Sequence, residues 1–104
     1  MNDFINDKDT LLKKLYHHSK EIKLYGVKNL QLFGSFVKNK DIHEESDVDL
    51  MVEFEDGKKT YDNFINLSFY LEHILNRKVE LLTPQSLSKY SGQRILNELE
   101  DVAL

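Results

Sequence analysis

Ser46-Asp47-Val48-Asp49-Leu50-Met51-Val52-Glu53-Phe54 is the stretch from which the fold can be read. Val48, Leu50, Val52 and Phe54 alternate with Asp47, Asp49, Met51 and Glu53, the period of two expected of a strand with one apolar face. The pattern predicts a strand over residues 48–55, closed by the turn signal Asp56-Gly57. Both aspartates then lie on one face, with Val48 turned toward the core between them. Neighbouring carboxylates repel, and folding alone gives no reason to accept that repulsion. A hard divalent cation would offset it, and Mg²⁺ held by one or two carboxylates plus substrate phosphates suits such a pair.

Working outward, a strand over 29–33 is expected before this one, cut off by Gly34. Ahead of it a helix should start near Asp9 or Thr10, either of which can cap it, and end at Gly26. Its stripe is Leu11, Leu12, Leu15, Tyr16, Ser19 and Ile22. Downstream, Thr60 can cap a helix whose stripe is Tyr61, Phe64, Ser68, Leu71 and Leu75. Ile65, Leu67, Phe69, Tyr70 and Ile74 widen it beyond one core-facing band, which suits either core on two sides or core plus a partner surface. A third strand follows over 79–83. Thr83-Pro84 then reads as a cap and first helical position, and a last helix over 93–99 should bury Ile95, Leu96 and Leu99. This order predicts one α+β (α/β-like) domain over residues 1–104, a small mixed or parallel sheet with flanking helices.

Two further pieces sit near the aspartates. Gly34-Ser35 ends the first strand, where glycine permits a tight turn and close approach of phosphate to the backbone. The following N–H groups and the Ser35 hydroxyl can hold an anion. Lys38 and Lys40 lie just beyond and can balance the charge of a triphosphate. Glu80, in Val79-Glu80-Leu81-Leu82, offers a third carboxylate from another strand. Three such groups could hold two metals ~3.5–4 Å apart, the arrangement that clamps attacking and leaving oxygens in phosphoryl chemistry.

At this spacing the pieces resemble the DNA polymerase β-type nucleotidyltransferase superfamily. Its signature is an apolar residue and Gly-Ser, then Asp-apolar-Asp-apolar, with a later carboxylate. Here these are Phe33-Gly34-Ser35, Asp47-Val48-Asp49-Leu50 and Glu80. With Arg77-Lys78-Val79-Glu80-Leu81-Leu82-Thr83-Pro84 and Arg94-Ile95-Leu96, the chain is similar to the minimal nucleotidyltransferase (MNT) proteins from about Leu11 to Leu99. The resemblance implies a nucleotidyltransferase fold and Mg²⁺-dependent transfer of a nucleoside monophosphate to a hydroxyl, with release of pyrophosphate. It also implies a role as antitoxin to a HEPN-domain ribonuclease toxin, by AMP transfer from ATP to a toxin tyrosine. Carried over by position, Gly34 and Ser35 would hold the β- and γ-phosphates, and Asp47 and Asp49 would ligate both metals. Glu80 would ligate the metal that activates the acceptor. This chain has Phe36 where relatives often carry Arg after Gly-Ser, and Glu80 where aspartate is usual.

Composition narrows the alternatives. Fourteen basic against 18 acidic residues give a net charge of -4, unlike the basic footprint of a nucleic-acid domain, and argue against tRNA as acceptor. With no cysteine there is no disulfide framework or thiolate zinc site, and His17, His18, His43 and His73 lack zinc-ligand spacing. The amino terminus is polar, and no apolar run approaches the ~20 residues that cross a bilayer, so a cytoplasmic domain is expected. A chain of 104 residues leaves little room for an acceptor cradle, which favours a protein acceptor in a hetero-oligomer. The helix over 61–75 and Leu99, Val102 and Leu104 are candidate interface surfaces. A non-catalytic antitoxin that acts by binding, and a small-molecule nucleotidyltransferase of the aminoglycoside type, are the competing readings.

Overall fold

The segment ahead of the first strand forms two helices, α1 (Lys8–His17) and α2 (Ser19–Leu24). The computed structural model describes residues 5–38, 42, 43, 46–89 and 98–104. Asp7, rather than Asp9 or Thr10, caps α1. Its backbone is extended and its carboxylate accepts from the Thr10 N–H, which leaves Asp9 inside the first turn, where the helix dipole favours it. At His18 (φ -106°, ψ 18°) the helical path breaks, and its ring Nδ1 pairs with the Lys14 carbonyl oxygen at 2.9 Å. Leu11, Leu15 and Ile22 reach the core, but Tyr16 does not: it is 61 % exposed.

Gly26 (φ 86°) turns the chain into β1 (Val27–Phe33), which starts earlier than expected because Val27 already pairs with Phe54. A short α3 (Ser35–Lys38) leads toward β2 (Val48–Phe54). Thr60 caps α4 (Tyr61–Leu75) by accepting from the Asn63 N–H, and Asn76 closes it in the left-handed region at φ 52°. Leu67, Leu71 and Leu75 form the buried row of α4. Tyr61, placed in the stripe by the sequence, is 77 % exposed, as is Phe69 at 64 %; of the other residues that widen the band, Leu67 is buried and Tyr70 and Ile74 pack against the core.

β3 (Val79–Leu82) stops before Thr83, whose hydroxyl pairs with that of Ser86 at the start of a 3-10 helix, Pro84–Lys89. The strand order is β3-β2-β1-β4: β1 runs antiparallel to β2, and β2 parallel to β3 across the α4 crossover. The sheet is therefore mixed. The last strand, β4 (Glu100–Asp101), pairs with β1 at Gln31 and Leu32, and is too short and too polar to leave a periodic signal. Of the helix expected over 93–99, Ile95 and Leu96 lie outside the described residues. Leu99 is not helical and packs with Phe33, Met51 and Leu82. Val102 is buried in the core and Leu104 packs against it, so neither offers an open apolar surface.

One face of the sheet carries Leu30, Leu32, Val48, Leu50 and Val52 against α1, α2 and α4. The opposite face is left to Phe33, Asp49, Met51 and Glu80. No helix among the described residues is long and apolar enough to cross a membrane.

Candidate active site

Asp49 stands at the centre of that second face. In the antiparallel ladder it lies opposite Phe33, the last residue of β1; in the parallel ladder it lies level with Glu80. Val48 and Val79 form the preceding register pair and both are buried, so Asp49 and Glu80 necessarily share the other side. Asp47 immediately precedes β2 and is half-buried, as is Asp49; Glu80 is exposed. The loop leading to Asp47 is tied by a reciprocal pair: the Ser46 hydroxyl accepts from the His43 N–H, and the Ser46 N–H donates to the His43 carbonyl, both at 3.0 Å.

The glycine of the turn is packed against this carboxylate. Gly34 has φ 79°, and a Cβ there would stand 2.2 Å from Asp49 Oδ2 and 3.1 Å from its Cγ. A bare Cα is thus needed twice, for the left-handed backbone and for the space Asp49 fills. Ser35 is exposed at the start of α3, and the Val37 N–H closes the turn on the Gly34 carbonyl at 3.2 Å. Lys38 is half-exposed and pairs with Glu98 at 3.4 Å, so an anion at Lys38 would have to compete with that carboxylate. Lys40 lies outside the described residues.

Electrostatics mark Asp49. Burial, then the charges of Glu80 and Asp47, push its pKa up from 3.8 to about 6. Glu80 and Asp47 therefore lie close enough to Asp49 for their charges to penalise its ionisation. Their oxygens are hard donors of the kind Mg²⁺ or Mn²⁺ takes, and the Gly34 surface leaves the Asp49 head no neighbouring Cβ to crowd it. In donor chemistry Asp47, Asp49 and Glu80 suit a divalent cation, and Asp49 and Glu80 share one face. Among the described residues, however, no three His, Asp or Glu side chains converge closely enough to form a finished cage.

Two features of the site escape the sequence. Met51, two residues beyond Asp49, is buried (2 % exposed) with Phe33, Leu82 and Leu99, giving the acidic centre an apolar neighbour. The clue was an apolar residue in the polar phase of the β2 alternation. Arg77, just ahead of β3, is also buried and donates into the loop that precedes Asp47. A lone arginine beside a lysine gives no sign of that.

Comparison with known proteins gives the family and agrees with the fold. The family model described as "Nucleotidyltransferase domain" matches residues 12–102. The chain is 41 % identical over 78 residues to a Methanocaldococcus jannaschii protein named as a candidate protein adenylyltransferase, covering 75 % of this chain and 82 % of that one. It is 36 % identical over 83 residues to the protein adenylyltransferase MntA of Thermococcus cleftensis, covering 79 % and 82 %. A solved structure described as a candidate minimal nucleotidyltransferase superposes with a TM-score of 0.75 at 26 % identity, over 94 % of this chain and 96 % of that chain. A toxin-antitoxin crystal structure with AMP-PNP shares the fold, with a TM-score of 0.65 at 20 % identity, over 85 % and 72 % of the two chains.

Proposed function

Because the chain belongs to the nucleotidyltransferase domain family, we propose that it is the antitoxin of a toxin-antitoxin pair and acts by chemistry in the cytoplasm. It transfers AMP from ATP to a tyrosine hydroxyl of a HEPN-type ribonuclease toxin and releases pyrophosphate. The relatives named as protein adenylyltransferases support a protein acceptor. The observation that carries the reading is the register of β2 and β3, which sets Glu80 level with Asp49 beside the Gly34-Ser35 turn.

In this mechanism Asp47, Asp49 and Glu80 would hold two Mg²⁺ ions, which when bound would neutralise phosphate charge and make the acceptor hydroxyl more acidic. Gly34 and Ser35 hold the β- and γ-phosphates through turn N–H groups and the Ser35 hydroxyl, and Lys38 exchanges Glu98 for a phosphate oxygen. The acceptor oxygen bonds to the α-phosphorus as the bond to the pyrophosphate oxygen breaks. Glu80 accepts the acceptor's proton, and its exposure leaves room for a protein hydroxyl to approach.

The experiment is co-expression with a HEPN-type ribonuclease toxin, followed by incubation with α-labelled ATP. Wild type is expected to label the toxin and relieve its toxicity. Asp47→Asn with Asp49→Asn should still co-purify with the toxin but leave it unlabelled and active. Equal neutralisation by the double variant would show that binding alone suffices and would overturn the enzymatic reading.

A further inference from the structure

The guanidinium of Arg77 contacts residues that adjoin each half of the site. Its side chain is buried, 6 % exposed. Nε donates to the Ile5 carbonyl at 2.6 Å, and Nη1 donates to the carbonyls of His43 at 2.8 Å and Ser46 at 2.7 Å. The guanidinium carbon lies 5.1 Å from the centroid of the Phe36 ring. Ser46 adjoins Asp47, and Phe36 adjoins Ser35. Next to Arg77, at the entry to β3, the Lys78 carbonyl accepts from the Val48 N–H at 2.9 Å, and Glu80 follows two residues later. One buried side chain therefore joins the loop of Asp47, the helix of Ser35 and the strand of Glu80.

We infer that Arg77 is a positioning residue that locks the Asp47 loop and α3 onto β3, so that the carboxylates and the Ser35 turn keep one relative geometry. This rests on the metal-dependent reading above. Burial alone could be met by leucine or methionine, and anchoring Ile5 needs only one donor. The carbonyls of Ile5, His43 and Ser46 are taken by two different guanidinium nitrogens whose directions are fixed in one plane. A lysine ammonium is a point donor without that fork and has no planar face to lay on Phe36. Substitution would leave carbonyls beside Asp47 without their donor and let the loop shift.

The test uses Mn²⁺ as probe, titrated against the full chain without nucleotide and followed by electron paramagnetic resonance well below the melting temperature. Arg77→Lys should weaken Mn²⁺ binding about tenfold, the low end for a residue that supports a metal ligand from outside the coordination sphere. It should lower kcat more than it raises KM for ATP. Phe36→Leu, which keeps apolar volume and removes the ring, should weaken Mn²⁺ binding by a few-fold and keeps the test open should the lysine variant not fold. Leu71→Val is the control: it loosens the α4 core and should lower the melting temperature without changing Mn²⁺ affinity. Wild-type Mn²⁺ affinity per folded molecule in both Arg77→Lys and Phe36→Leu would overturn the role of Arg77. Failure of wild type to bind Mn²⁺ in a manner sensitive to Asp49→Asn would instead overturn the metal-dependent reading, and the inference with it.

Discussion

Asp49→Asn is expected to lower AMP transfer on the order of 10³-fold while making the metal-free protein more stable at neutral pH. The loss follows from removing a charged ligand at the point where phosphate charge is neutralised. The gain follows from the raised pKa. The folded state holds the Asp49 proton up to about pH 6, whereas the unfolded chain releases it near 3.8. Between those values the native state binds more protons, so wild-type stability declines as pH rises through that window. Asparagine does not titrate. The two proteins should therefore melt alike below about pH 3.8 and diverge up to about pH 6, with the variant ahead above that. Because Asp49 is partly solvated, the difference is expected to be about 1 kcal/mol, or a few degrees in melting temperature. Thermal melts in chelator from pH 3.5 to 8 check it. Mg²⁺ should then raise the melting temperature of wild type and leave the variant unmoved. A variant that melts below wild type at pH 7 in chelator would show that Asp49 stabilises the apo fold, against this account.

Gly34→Ala is expected to remove transfer without touching a carboxylate or the serine hydroxyl. Alanine at φ 79° costs roughly 1–2 kcal/mol on backbone grounds. Its methyl would also stand 2.2 Å from Asp49 Oδ2, so the carboxylate must leave its place. Together these should destabilise the protein by about 2–3 kcal/mol and abolish detectable labelling of the acceptor. The cause is separable in a double-mutant cycle. In an Asp49→Ala background the oxygen and Cγ are gone, and Gly34→Ala should cost about 1 kcal/mol less than in wild type. Strict additivity in denaturant unfolding would mean that the turn and the carboxylate do not press on each other.

What was legible in advance was local and periodic. The alternation from Asp47 to Phe54 put both aspartates on one face; in the β2 register Leu50 lies opposite Leu32 and Asp49 opposite Phe33, while Asp47 precedes the strand. Thr60 as a cap and Asp56-Gly57 as a turn were equally local, each resting on one side chain or one backbone angle. What was illegible depends on contacts distant in sequence. The need for glycine at 34 is set by a carboxylate on β2, fifteen residues along, as well as by the turn itself. Arg77 stands in the sequence only as part of the stretch leading to Glu80; its role depends on the carbonyls of Ile5, His43 and Ser46, which accept from its guanidinium. The break at His18 and the pairing of Glu100 and Asp101 with β1 were missed because one residue and two residues, respectively, are too few to show a period. The exposure of Tyr16 and Tyr61 has the same origin. Helical spacing assigns a face, but the neighbouring elements decide how wide the buried stripe is.

The central claim is that carboxylates from β2 and β3 meet around divalent cations beside the Gly34-Ser35 turn. Anomalous diffraction from crystals grown with Mn²⁺ and a non-hydrolysable ATP analogue tests it most directly. The account predicts anomalous peaks bridging Asp47, Asp49 and Glu80, with the analogue's β- and γ-phosphates against Gly34 and Ser35. Analogue bound elsewhere, or manganese peaks that leave these carboxylates unengaged, would contradict it.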